Sequence, residues 1–592
     1  MSVLSELQRR NVFRVAALYL IAGWVLLQVA ELLFGALGVP AWGLRLVLGL
    51  LLLGFPLALI FSWIYELTPE GLKREHEVER HASITQETGR RINVLIAVLL
   101  AAAVGIGGYG LLRERRVPAA TAPAHAPAPA VPSAGLATVA SIAVLPFVNM
   151  SDDKSNEYFS DGLTEELLNL LAQVPELKVI ARTSSFAYKG KEAKISDIAR
   201  ELQVANVLEG SVRKSGDRVR ITAQLIRTSD STHLWSQSYD RTVQDIFAVQ
   251  GEIAGQVVDS LKVKLLGADH KPVQAGGTND ARAYEAYLRG RYELNKGESQ
   301  EFLRAALAAF DEALALDPSF AQAHASRSSV LQALTRNAYI PFAEGFAQAR
   351  AAAERAVELA PDTSDAHAAL GRLAIAADWD WQKSEAALRK ALALNPSNAT
   401  AHNSLAQLLS GLGRTNEALA AARQAVSLDP LAPAGIQTLA FTSYDARRYD
   451  EALTFARQVA RLDPGRPRLN YLVGLIELAT GDLQAAAASC EQERVEWQRQ
   501  TCLAIVYQKL GRPAEAAAQL EELKKNGDNS AYQMAEISAQ RGEIDQALRW
   551  LDVGRRVRDP GLFRTGVDRL LDPLRDDPRF KALLRELNLP GG

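Results

Sequence analysis

Five prolines govern what the C-terminal half of this chain can fold into. Each closes a similar phrase: ALALDP at Pro318, AVELAP at Pro361, ALALNP at Pro396, AVSLDP at Pro430 and VARLDP at Pro464, spaced 43, 35, 34 and 34 residues apart. A period of this length marks one supersecondary unit stacked on copies of itself, because a single unit cannot bury its own apolar face. Small residues recur where two antiparallel helices must cross closely, and proline stops the second helix of each unit. In the clearest copy, AHNSLAQLLSGLGRTNEALAAARQAVSLDP, these positions are Leu405, Ala406, Gly413, Ala418, Ala422, Ala425 and Pro430. Leu439, Ala440, Tyr449, Ala452 and Pro464 repeat them. Fainter copies follow at Gly481 and Ala486, at Leu503, Tyr507, Gly511 and Ala516, and at Met534, Gly542 and Ala547. Extra residues around TRNAYIPFAEG lengthen one loop.

This cadence resembles the tetratricopeptide repeat. The resemblance implies an all-α solenoid of seven or eight helix pairs over 283–560, with capping helices in 561–592 to cover the last apolar face. It also implies a concave groove for a protein or peptide partner. Candidate groove residues on the first helices are Asn403, Gln407, Gln437, Tyr444, Asn470 and Tyr471. Cys490 and Cys502 fall on the last helix of one repeat and the first of the next. A disulfide between these antiparallel neighbours and two buried thiols are both compatible with that placement.

The other end of the chain reads differently. Three apolar runs, at about 12–37, 44–65 and 92–112, each reach the roughly 20 residues a helix needs to cross a bilayer. They predict a transmembrane region over 1–116 and a lipid bilayer as partner through residues 12–112. Arg9, Arg10 and Arg14, with Lys73, Arg74, Arg80, Arg90 and Arg91, outweigh Arg45, Arg113, Arg115 and Arg116 on the other side. That bias predicts a cytoplasmic N-terminus and periplasmic C-terminal domains in a bacterial inner membrane. Within the third run, GIGGYG (105–110) has the letters of a dinucleotide-binding turn, but it follows a long apolar helix and no second strand comes after it. Ala101, Ala103, Gly105 and Gly107 instead have the spacing that brings membrane helices together. An Ala/Pro-rich linker at 117–140 then acts as a semi-rigid spacer.

Residues 141–266 form an α/β pattern. SIAVLPFVNM is a short strand, and SDGLTEELLNLLAQV is an amphipathic helix capped by Ser160 or Asp161. LKVIA is another strand, and DRVRITAQLIRT alternates Val219, Ile221, Ala223 and Leu225 against polar neighbours, as a half-buried strand does. The strings SIAVLPFVNMSDDKSNEYFSDGLTEELLNLLAQVPELKVIARTSSFAYKG, VLEGSVRKSGDRVRITAQLI and HLWSQSYDR resemble the TolB amino-terminal-like (FlgO-like) domain. That family, also found fused to adenylate cyclase domains or winged-helix regulators, implies a non-catalytic interaction module. Asp161, Glu165 and Glu166 read as carboxylates favouring the positive end of the helix they begin. Ala181 to Phe186 reads as a strand-to-loop transition, and His233 with Trp235 as strand packing.

Much chemistry is excluded by supply. Two cysteines and eight scattered histidines offer no zinc or iron–sulfur ligand set, so neither metal nor cofactor is expected. A net charge of −2 without a basic stripe argues against nucleic acid. The fold class expected is therefore multidomain: three transmembrane helices, a small α/β domain and an all-α solenoid. The function expected is a non-enzymatic, membrane-anchored interaction scaffold for envelope assembly or sensing. The alternatives are a signalling protein related to adenylate cyclase or CadC-type regulators that acts through a cytoplasmic partner, and an enzyme hidden in the α/β domain.

Overall fold

The computed structural model describes residues 140–591, apart from 243–244, 262–276, 298 and 338. Before them it describes a few positions between 19 and 55 and two strands within 65–74. The chain divides into two compact units, Met1–Ala134 and Gly135–Gly592.

In the first unit the Tyr19 hydroxyl donates to the Leu51 carbonyl at 2.9 Å, and the Tyr19 and Phe55 rings lie 5.6 Å apart. Strands β1 (Tyr65–Thr68) and β2 (Gly71–Arg74) pair antiparallel. These observations correct two expectations. Among the described residues no helix is long and apolar enough to cross a membrane, so neither three transmembrane helices nor a multi-pass inner-membrane location is supported. Tyr65, the last residue of the second expected span, gives its backbone bonds to a hairpin partner and not to a helix. The remainder of the spans at 12–37 and 44–65, all of the span at 92–112, the GIGGYG motif and the linker up to Ala140 fall largely or wholly outside the described residues.

The second unit opens with a mixed sheet. Its strands are β3 (Ala140–Val144), β4 (Val148–Asn149), β5 (Leu177–Val179), β6 (Asn206–Ser215), β7 (Arg218–Arg227) and β8 (His233–Thr242). The order is β5-β3-β6-β7-β8, with β4 beside β6. Strand β3 runs parallel to both neighbours and is apolar at nearly every position, because helices cover both of its faces. Helices Glu157–Ala172 and Ile246–Ser260 pack on one side, and Ile195–Leu202 on the other. On β7, Val219, Ile221, Ala223 and Leu225 are buried in alternation. The expected helix start is corrected: the helix begins at Glu157, a turn earlier, so Ser160 and Asp161 lie inside it and are buried. Arg182–Phe186 is a short helix, not a loop.

Eight helix pairs follow among the described residues, from Ala281–Leu294 with Gln300–Leu316 to Ala531–Gln540 with Ile544–Val557. The second helices of the first five pairs end at Leu316, Leu359, Leu394, Leu428 and Leu462, each two residues before its proline. Two residues on, the proline ring removes the donor that another turn would need. Glycine sits where paired helices touch. A Cβ on Gly290 would lie 2.5 Å from the Phe310 ring, and one on Gly371 would lie 2.7 Å from Leu388 Cγ. Gly290→Ala is therefore expected to destabilise by about 1–3 kcal/mol through overpacking, measured by urea unfolding. No change in midpoint would show that the helices separate freely at this crossing.

After the eighth pair the chain does not stack another pair of equal length. Arg558 takes the left-handed conformation (φ 58°), and residues 560–586 make two short 3₁₀ turns and the helix Pro578–Glu586. This segment turns back against helices of repeats 3 to 8. The terminal span, expected as capping helices, thus covers far more than the last apolar face.

Candidate functional site: the first-helix face of the repeats

On the first helix of repeat 4 (Ala399–Gly411), Asn403, Gln407 and Ser410 follow the i, i+4, i+7 spacing of a single helix face. That face meets the first helix of repeat 5 (Pro433–Asp445). The Gln407 amide donates to Thr438 Oγ1 at 3.3 Å, and Ser410 Oγ donates to Asp445 Oδ2 at 2.6 Å. It is the inner, first-helix face of the stack.

Past Gln407, which stays exposed, this face and Trp381 of repeat 3 are covered by residues 559–591. Arg564 donates to Asp445 Oδ1 at 2.6 Å, and the Asp445 side chain is only 6% exposed. The Phe563 ring sits over Gly411, where an added Cβ would lie 2.2 Å away, and meets the Trp381 ring at a tilt, centroids 4.8 Å apart. Trp381 Nε1 donates to the Leu587 carbonyl at 2.9 Å, and Gln540 Nε2 to the Leu570 carbonyl at 2.8 Å. The Arg569 guanidinium lies over the Tyr449 ring, and Arg558 over Trp379. Tyr532 donates to Asp568 at 2.8 Å. Beside that bond, burial and the nearby Asp568 hold the Glu536 carboxyl well above the usual range. Leu562, Leu571, Leu574, Phe580 and Leu584 of the segment are fully enclosed.

At the other end, the α/β domain docks on the repeats in two places. Gly162 admits Leu288 of repeat 1 against the helix backbone. Further along, the turns after repeats 3 and 4 reach β5 and the helix after it. Ser397 Oγ donates to the Leu177 carbonyl at 3.4 Å, Ala181 N to the Leu428 carbonyl at 2.7 Å, and Ser184 N to Asp429 Oδ1 at 2.9 Å. Between these contacts lies a buried charge cluster. Glu165 pairs with Arg182, with Arg291 at 2.8 Å, and accepts from Asn295 at 2.7 Å. Glu166, also buried, has only a 3.5 Å contact from the Tyr287 hydroxyl. Burial, only partly offset by Arg291 and reinforced by Glu165, pushes its carboxyl up to about 7. The three acids expected to favour an exposed helix start are thus interior groups, because the helix begins before them and this face meets repeat 1.

The Glu166 shift carries a sign. An acid whose value is higher folded than unfolded contributes stability that is complete below about 4.5 and lost as pH rises through about 7. Glu166→Gln is expected to add up to about 3 kcal/mol at pH 8 and nothing at pH 4, read as the difference between variant and parent. The difference is needed because His324 and His402, both lowered by burial, act with the opposite sign. Equal stability of the two proteins at pH 8 would mean that Glu166 is solvated.

The sequence-derived candidates separate on this surface. Gln407 is exposed, and Asn403 is half-buried with its Oδ1 unpaired. Asn470 donates to the Gln492 carbonyl at 3.0 Å. Gln437 is buried and spends its amide on the Pro467 carbonyl at 2.7 Å and on Arg466. Tyr444 and Tyr471 are buried near the terminal segment, in the core that holds Leu570. Sequence reasoning did not single out Asp445, Trp381, Arg564 or Phe563; Gly411, at a position where a side chain would help a helix, was the available signal. Cys490 and Cys502 come together in the core of repeats 6 and 7, Cα atoms 5.9 Å apart with the sulfurs bonded, packed against Gly474. Among the described residues no group of three His, Cys, Asp or Glu side chains could hold a metal ion.

Fold and site define a helical-repeat solenoid joined to a small sheet domain and packed against its own residues 559–591. Residues 380–433 and 442–498 match the tetratricopeptide repeat family. Residues 138–255 match the family described as HilA/YgeH-like transcriptional regulator, second domain; the TolB-like assignment is not shown. A protein of Rhizobium meliloti (strain 1021) named "Putative adenylate cyclase 3" is 45% identical over 193 residues, 32% of each chain. The present chain therefore spans about a third of that relative's length. Among solved structures, PilF of Pseudomonas aeruginosa is 21% identical, covering 33% of this chain and 92% of that one, with a TM-score of 0.27. YrrB, described as a repeat protein with an unusual peptide-binding site, is 22% identical over 30% and 87% of the two chains, with a TM-score of 0.21.

Proposed function

We propose that this chain is a regulatory docking protein that works by binding a protein partner and has no catalysis of its own. The repeats are the observation that carries this reading: eight stacked pairs expose polar first-helix positions such as Gln407 beside a sheet domain that docks on repeats 1, 3 and 4. A sheet domain of the kind named for transcriptional regulators, and a partial relative named as a cyclase, support a signalling role over a purely structural one. The partner, on this reading, meets the open stretch near repeat 4, where neither the sheet domain nor the terminal segment covers Gln407.

The test places a photo-crosslinking residue at Gln407 in the full chain and, as control, at Glu312 on an outer helix. A single protein captured from Gln407 and not from Glu312 supports the reading. Equal capture from both positions, or turnover of a nucleoside triphosphate by the purified full chain, would overturn it.

A further inference from the structure

The terminal segment is held in the manner of a bound peptide. Its two 3₁₀ turns and one short helix do not repeat the helix-pair unit, and the repeats read its backbone directly. Trp381 binds the Leu587 carbonyl and Gln540 the Leu570 carbonyl. One arginine, Arg564, meets one acid of the face, Asp445, which Ser410 orients from the neighbouring repeat. Glycines on both sides make room: Gly411 for Phe563, and Gly561 of the segment for the Tyr532 ring, 2.5 Å from where its Cβ would be. The junction is a sharp left-handed turn at Arg558, next to the exposed Val557.

We propose that the first-helix face of repeats 4 to 8 past Gln407, with Trp381 of repeat 3, is a segment-binding surface whose resident ligand is the chain's own residues 559–591, which keep it closed. The inference rests on the reading of the repeats as a docking surface and says what that surface accepts: a leucine-rich segment with a phenylalanine and one arginine set to reach Asp445. A competing partner segment must share this chemistry. It must also outcompete a ligand whose short tether gives it an effective concentration in the millimolar range.

The experiment inserts a protease site after Val557 in the full chain and cuts it. The cut protein is expected to stay folded by circular dichroism and to exchange its segment for a labelled synthetic peptide of residues 559–591 at one per chain. The uncut protein takes up none. A peptide carrying Arg564→Ala is expected to bind at least tenfold more weakly. In the uncut chain, Asp445→Ala is expected to speed amide exchange at least tenfold in 559–591 while repeats 4 to 8 keep their protection. Unfolding on cutting, uptake by the uncut chain, equal binding of the two peptides, or joint loss of protection in segment and repeats would each overturn the proposal. Peptide exchange reads only the part of the face that 559–591 covers, so its failure is distinct from failure to capture a partner at the exposed Gln407.

Discussion

Replacing Arg564 by alanine is expected to lower the unfolding free energy by about 3 kcal/mol, among the largest single effects on the repeats. The reason is asymmetry. Asp445 is nearly enclosed, and losing its cation leaves a charge that water cannot reach, with Ser410 as the remaining short hydrogen bond. Breaking a buried pair from one side costs about 3–5 kcal/mol; Arg564 itself is 30% exposed, which places this pair at the lower end. Adding Asp445→Asn to Arg564→Ala should restore at least about 1 kcal/mol, because the stranded charge is then gone. Urea unfolding of the two variants and their parent measures both terms. A cost below about 0.5 kcal/mol for Arg564→Ala would make the bridge an ordinary solvated pair.

The second large effect concerns Cys490 and Cys502. The bridge closes a loop of 12 residues between consecutive helices, and closure of a loop near that length restricts the unfolded chain by about 3 kcal/mol. Replacing both cysteines by alanine, or adding reductant, is expected to remove stability of that order. The loss should begin in repeats 6 and 7, whose core also holds Gly474, Tyr471 and Ile476. Thiol titration under native and denaturing conditions, paired with unfolding curves, checks this. Two thiols titrating in the unfolded, unreduced protein would show that the bridge does not form.

Much of the repeat fold was legible because it depends on local, periodic choices. Each of the five repeat-closing prolines lies where a helix must stop, and Gly290 and Gly371 each have a bulky partner one helix away, Phe310 and Leu388. The alternation on β7 was equally plain. What escaped the letters was non-local. Nothing near Arg564 says that it meets a residue more than a hundred positions earlier, and Asp445 has the appearance of a solvated helix end. Asp161 and Glu166 misled for a related reason. Their helix starts a turn before Ser160, directly after Asn156, whose side chain makes no cap bond; packing of Phe159 and Leu163 into the core sets the boundary. The apolar N-terminal runs misled differently: length and hydropathy satisfied a membrane criterion that no described helix meets.

The contacts from Ala181 and Ser184 to Leu428 and Asp429 have a mechanical consequence. A free solenoid behaves as a spring, because each repeat contacts only its neighbours. Here the first four repeats are looped back and fastened to the sheet, so they form a closed hoop with the α/β domain as its clasp. The first four repeats can extend only once the bonds at Ser397, Ala181 and Ser184 are broken.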